Sequence, residues 1–132
     1  MPKMLTEATV QEIQLELIRR TRYNAFDGER VYAALMRHQE LWEAVLMDRP
    51  GLSHGGLSAM GLIKLRDLSD NHWNVDTLYI LCPDARSARR LADNAESEGW
   101  GELVQVHDGQ EAVGRALGSS HSEQAIVSIW WD

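Results

Sequence analysis

Between residues 76 and 131 the apolar positions fall into three short runs separated by stretches with helical spacing. The clearest run, Thr77–Leu81, is rich in β-branched and aromatic residues. It ends at Pro83, which has no backbone N–H to donate to a sheet, and Asp84 follows in the position of a helix N-cap. A strand that leads directly into a capped helix is typical of the start of a βαβ unit.

The same alternation continues downstream. A helix is predicted over 84–98, a strand over 103–107, a helix over 108–117 and a last strand over 125–131. Strands joined by crossover helices usually lie parallel to one another, and the last strand is apolar on both faces, as expected for a covered strand. We therefore predict a β-α-β-α-β unit, about 76–131, that forms a small three-stranded, mainly parallel sheet.

The first half of the chain has mainly helical spacing. Thr9 and Glu12 have the spacing of a capping box, which predicts a first helix over about 8–23. A second apolar stripe predicts a helix over about 28–48, either continuous or broken near His38. This stripe consists of Val31, Leu35, His38, Trp42 and Val45.

A third segment, 58–68, is favoured as a helix, although its pattern also half fits a strand. The helical part of the chain would then extend over about 8–68. At 132 residues the chain has the size of one domain. We expect a single α/β domain, 1–132, in which an N-terminal helical pair precedes the sheet and helices are layered on it.

The charge is unevenly distributed. The net charge is −7, and residues 71–132 carry four arginines against ten acidic residues. An acidic surface disfavours nucleic acids and anionic membranes as partners, because both require cationic protein surface. No apolar run reaches the length of a signal-peptide core or of a membrane span, so we expect a cytoplasmic protein.

Several familiar sites are absent from the sequence. The single cysteine, Cys82, excludes an internal disulfide and a multi-cysteine zinc site. The five histidines include no pair with i, i+4 spacing, and no glycine-rich phosphate loop or nucleophile-elbow motif occurs. We therefore expect no metal and no cofactor.

One candidate site follows from the predicted topology. Open parallel sheets bind ligands beyond the carboxyl ends of their strands. The residues at those ends are Cys82, Asp84, His107 and Asp108. A thiol, an imidazole and carboxylates on one edge could form a nucleophile with its base. The alternative interpretation is structural, with the two aspartates as helix caps, the cysteine as a small core residue and the histidine as a polar strand end.

A second candidate is the polar segment 70–74. His72 and Trp73 lie there between Asp and Asn residues, and hydrogen-bonding side chains around an aromatic ring could bind a ligand. Asn and Asp are also the ordinary residues of turns, because their side chains bond the local backbone. The favoured interpretation of the segment is therefore a turn into the first predicted strand.

The absence of motifs and the small size favour an interaction or regulatory module without catalytic activity. The alternative is a small-molecule-binding protein or enzyme with its site at the strand ends near Cys82 and His107. These hypotheses differ in the expected surface: the first requires an exposed apolar patch, and the second a concave pocket that joins the candidate residues.

The partner expected for the first hypothesis is a protein, including a second copy of the chain. Three strands cannot cover both their own crossover helices and a long helical pair. Apolar surface would then remain at Leu35, Trp42 and Val45, which predicts a homodimer formed by the first half of the chain.

Overall fold

A computed structural model describes residues 4–22, 25–48, 68–72 and 75–131, and the structural statements below concern these residues. The helices are α1 (Val10–Arg20), α2 (Gly28–Arg37), α3 (Ala85–Glu98) and α4 (Gln110–Ala116). The strands are β1 (Ala44–Asp48), β2 (Thr77–Cys82), β3 (Leu103–His107) and β4 (Ala125–Trp130). Short 3-10 turns cover Leu5–Glu7 and Gln39–Leu41, and residues 68–70 are also in 3-10 conformation.

The described strands form one sheet in the order β1-β2-β4-β3, and every neighbouring pair is antiparallel. The predicted three-stranded, mainly parallel sheet is therefore wrong. β2 and β3 do run in the same direction, because both are antiparallel to β4. However, β4 lies between them, so the strands joined by α3 are not neighbours.

The central position of β4 follows from its apolar sequence. Its side chains at Ala125, Val127 and Ile129 are fully buried beneath the helices, and those of Ile126 and Trp130 are half-buried on the opposite face. The sequence correctly indicated a strand apolar on both faces. Such a strand is suited to the middle of an antiparallel sheet as well as to a parallel one, and the parallel interpretation did not follow from it.

The first strand lies where the second helix was predicted to continue. α2 ends at Arg37, where the N–H of His38 lies 3.2 Å from the carbonyl oxygens of both Ala34 and Leu35. One 3-10 turn follows, and β1 then alternates, with Val45 buried and its neighbour Leu46 exposed.

The apolar stripe wrongly predicted a helix as far as residue 48, because its residues lie in three different elements. Leu35 in α2 and Val45 in β1 are both buried in the same core, and Trp42 packs against it from the intervening segment. The indole N–H of Trp42 also donates to the carbonyl of Leu35, at 2.8 Å. Residues that share a core therefore had helical spacing without sharing a helix.

The end signals of α1 and α3 were predicted correctly. Thr9 and Glu12 form the capping box of α1, with N···O distances of 3.1 and 2.9 Å. Asp84 caps α3, and Gly99 ends that helix in the left-handed conformation, at φ +68°. The helix predicted over 58–68 lies, except for its last residue, outside the described residues.

The two faces of the sheet have different surroundings. One face carries a single buried cluster that joins the sheet to α1, α2 and α3, and it includes Ile18, Val31, Leu35, Leu78, Ile80, Leu91, Val127 and Ile129. The opposite face, which we call the open face, consists of three cross-strand rows. These rows are Ala44–Leu81–Ile126–His107, Leu46–Tyr79–Ser128–Gln105 and Asp48–Thr77–Trp130–Leu103.

Helix α1 also closes one edge of the sheet. The side-chain amide of Gln11 donates to the carbonyl of Val45 and accepts from its N–H, both at 2.9 Å. Gln14 accepts from the N–H of Met47 at 3.4 Å. The outward backbone groups of β1 are thus bonded by a helix side chain instead of another strand, which prevents further strand pairing at this edge.

The start of α2 depends on a residue without a side chain. A Cβ at Gly28 would lie 2.1 Å from the carbonyl oxygen of Ile18 and 2.7 Å from that of Thr21, and both are backbone atoms. We expect Gly28→Ala to force α1 and α2 apart and to lower the free energy of unfolding by roughly 3 kcal/mol. Urea denaturation measures this change.

Gly109→Ala is the matched control, since a Cβ there has its nearest atom, the Ala112 Cβ, at 3.9 Å. We expect a change of less than about 1 kcal/mol, because Gly109 is a helix N-cap where alanine is only mildly unfavourable. Equal effects of the two substitutions would contradict the close approach of α1 and α2.

Candidate functional site

The four strand-end candidates lie at the end of the sheet where β2 and β3 finish. They are Cys82, Asp84, His107 and Asp108. Cys82 ends β2 and pairs with Ala125, and His107 ends β3 and pairs with Ile126. The expected grouping holds at the level of the backbone because β2 and β3 run in the same direction. The side chains, however, do not converge on one pocket.

Cys82 faces the helices. Its side chain is fully buried, and burial raises the pKa of its thiol to about 12, with smaller contributions from the negative charges of Asp84 and Glu43. At neutral pH the thiol is therefore protonated and inaccessible. Reactive cysteines have the opposite properties, namely a lowered pKa and exposure.

The two aspartates have structural partners. Asp84 accepts a hydrogen bond from the N–H of Ser87 at 2.7 Å, and this bond lowers the pKa of its carboxyl group. Asp108 was interpreted as a possible helix cap, but α4 begins at Gln110 after Gly109 with no side-chain cap. Instead, Asp108 forms an ion pair with Arg89 of α3, at 2.9 Å.

His107 lies on the open face, on the other side of the sheet from Cys82. Its Nε2 atom lies 2.8 Å from the hydroxyl oxygen of Ser128 on the neighbouring strand β4. Among the described residues, no carboxylate bonds the second ring nitrogen of His107. A serine and a histidine without an orienting acid and without oxyanion donors lack the arrangement of a nucleophilic site. The bond satisfies the hydroxyl group of a nearly buried serine.

The loop candidates give no site either. His72 is exposed, and no hydrogen bond of its side chain is found within the described part of the chain. Trp73 lies outside the described residues. No group of three or more metal-binding side chains is present in the ranges that the structure describes.

The open face contains an apolar trough of about 370 Å³. It lies between β1, β2, β4 and the end of α4, and its lining includes Leu46, Tyr79, Leu81, Ala116, Leu117 and Ile126. Leu46, Tyr79 and Leu117 are each more than a third exposed. Apolar side chains from four separate segments thus meet at a surface that the core helices leave uncovered.

The trough has little polar chemistry. Among the described residues that line it, Asp48 is the one that carries a charge, and none is cationic. The trough therefore suits an apolar group and offers no set of converging polar side chains to orient a substrate. Sequence analysis missed it because residues 44–48 were assigned to a helix. No alternation of apolar and polar residues marks this strand in the sequence, because Val45, Leu46 and Met47 are all apolar.

Comparisons with protein-family models, with curated proteins and with solved structures gave no match. None of the helices within the described residues combines the length and apolar character needed to cross a membrane.

The raised pKa of the buried thiol predicts how the free energy of unfolding changes with pH. The pKa of Cys82 is raised in the folded state, so above pH 9 the unfolded chain releases a proton that the folded chain keeps. This group should lower the free energy of unfolding by about 1.4 kcal/mol per pH unit there. Cys82→Ala removes this pH-dependent contribution. The amount by which the variant is less stable than the unmodified chain should therefore shrink as the pH rises from 9 to 11.

Urea denaturation of both proteins at several pH values measures the difference, and titrations common to both cancel. A deficit that stays constant with pH would show that the folded protein tolerates the thiolate. That result would revive the hypothesis of a nucleophile at Cys82.

Proposed function

We propose that the chain is a protein-interaction module without catalytic activity of its own, and that it binds its partner in the trough on the open face. The observation that carries the proposal is the exposure of Leu46, Tyr79 and Leu117 around one apolar recess. A sheet face of this kind resembles the apolar centre of an interface more than the surface of an isolated domain.

The lining indicates the chemistry of the partner. A volume of about 370 Å³ accommodates one or two large apolar side chains. The chain as a whole is acidic, with a net charge of −7. The partner that fits is a polypeptide segment with an aromatic or aliphatic anchor beside a lysine or arginine, because opposite charge favours the encounter and its orientation.

The alternative, an enzyme at the strand ends, has less support. Cys82 and His107 lie on opposite faces of the sheet, and the buried thiol is protonated at neutral pH. A cytoplasmic location is part of our proposal. It is supported by Cys82, a free thiol that is buried in the core.

A displayed library of random peptides, selected against the folded chain, tests the proposal. We expect the selected peptides to share a large apolar residue next to a basic one and to bind with micromolar affinity. Leu46→Ser should weaken the binding at least tenfold, since Leu46 lines the trough. Fluorescence anisotropy with labelled peptides measures the affinities.

Leu5→Ser is the matched control. Leu5 is also an exposed leucine, at 74%, but it lies in the first 3-10 turn and not in the trough. We expect this variant to bind the peptides as the unmodified chain does. Peptides that lack the anchor, or that bind equally well to Leu46→Ser, would refute the trough as the binding surface.

A further inference from the structure

The two outer strands of the sheet, β1 and β3, differ in how their outward backbone groups are hydrogen-bonded. The outward backbone of β1 is bonded by Gln11 and Gln14 of α1. At the other edge, no described side chain or backbone group outside β4 bonds the backbone of β3 (Leu103–His107). An unbonded edge strand is a template for pairing with another strand.

The sequence of β3 has none of the features that usually block an edge. It contains no proline and no lysine, and its five residues are Leu, Val, Gln, Val and His. Leu103 is half-exposed, while Val104 and Val106 are only partly buried although they pack against the core. Apolar and β-branched residues favour strand pairing, and no charged side chain on the strand itself opposes it.

The helix beside this edge carries charges of opposite sign at its two ends. Arg89 reaches Asp108 at the end of β3, which shows that this side of α3 faces the edge. Helical spacing places Arg86, Asp93 and Glu96 on the same side, and all three are exposed. The arginines therefore lie beside the end of β3, and the acidic residues lie toward its start.

We propose that a second copy of the chain pairs its β3 antiparallel to this β3 across a two-fold axis, which joins two four-stranded sheets into one of eight strands. The two-fold axis brings the arginine end of each α3 next to the acidic end of the other. This complementarity offsets the repulsion expected between two chains of net charge −7. The proposal is independent of the trough, since the trough lining contains no residue of β3.

The register that fits best has its axis at Gln105. Leu103 then faces His107 of the second copy, and Val104 faces Val106. Directly beyond the strand Glu102 faces Asp108, whose charge is already paired with Arg89. The axis brings the arginine end of each α3 toward the acidic end of the other, and Arg86 and Glu96 are the outermost of the four charged residues on this side of the helix. Arg86 and Glu96 are thus the charged pair that the register predicts.

This interface replaces the one expected from the sequence. Leu35 and Val45 are buried within the chain, and Trp42 is half-buried with its N–H bonded. The apolar stripe of the first half is therefore covered internally, and the reason given for a homodimer through that stripe was wrong. The open edge at β3 provides a different surface for the same kind of assembly.

Sedimentation equilibrium from micromolar to near-millimolar concentration tests the proposal. We expect a reversible dimer in the unmodified chain that weakens as salt is added. Gln105→Lys, which places two lysines at the axis, should weaken dimerisation at least tenfold. Because Gln105 is exposed on the open face, this variant should fold and should bind trough peptides normally.

A charge exchange tests the register. Arg86→Glu and Glu96→Arg should each weaken the dimer several-fold, and the double variant should restore it, because the opposite charges then meet again. Arg22→Glu, just beyond the end of α1, makes the same change in net charge as Arg86→Glu at an exposed position and should have no effect.

A chain that stays monomeric at near-millimolar concentration would overturn the proposal. So would a dimer that Gln105→Lys leaves intact, or a double variant that fails to recover. Loss of the dimer in Leu46→Ser but not in Gln105→Lys would place self-association at the trough instead of at β3.

Discussion

Backbone N–H and C=O groups at the edges of a sheet need partners, and this requirement organises the described part of the chain. At β1 the partner is the amide of Gln11, which both donates to and accepts from Val45. These bonds fix α1 alongside the sheet. α2 then packs on α1 at Gly28, where no side chain would fit. The helical layer therefore depends on how the first edge is closed.

The same requirement explains the asymmetry of the molecule. α1, α2 and α3 pack on the core face of the sheet, and α1 also covers the edge at β1. Within the described residues, the open face and the edge at β3 are left exposed. α4, which follows β3, borders the open face, and Ala116 and Leu117 line the trough there. A four-stranded sheet with helices on one face thus leaves two surfaces, and our two proposals concern one surface each.

Sequence reasoning succeeded where the determining interactions are local. The capping box at Thr9, the N-cap at Asp84 and the glycine at position 99 each involve residues within four positions of one another, and each was predicted. It failed for β1 and for the strand order. β1 is specified by contacts with α1 and β2, and the order depends on the pairing of β4 with both β2 and β3. Neither kind of contact leaves a periodic signal.

The candidate site shows the same limit. β2 and β3 run in the same direction, as predicted, and this brings Cys82 and His107 to the same end of the sheet. Which face each side chain occupies depends on the register of the two strands, which the sequence alone does not specify. The trough was missed because its lining comes from residues 44–48, 79–81, 116–117 and 126, which meet only in the folded sheet.

One edge of the sheet is closed by a helix, and we infer that the other is open for pairing. Amide hydrogen exchange, followed by NMR at several protein concentrations, tests this difference. We expect the Val45 amide to exchange slowly at every concentration, because Gln11 accepts its hydrogen bond. The β3 amides that point away from β4 should exchange rapidly in dilute solution and slowly once the chain is concentrated. Rapid exchange at Val45, or outward β3 amides whose exchange does not depend on concentration, would contradict it.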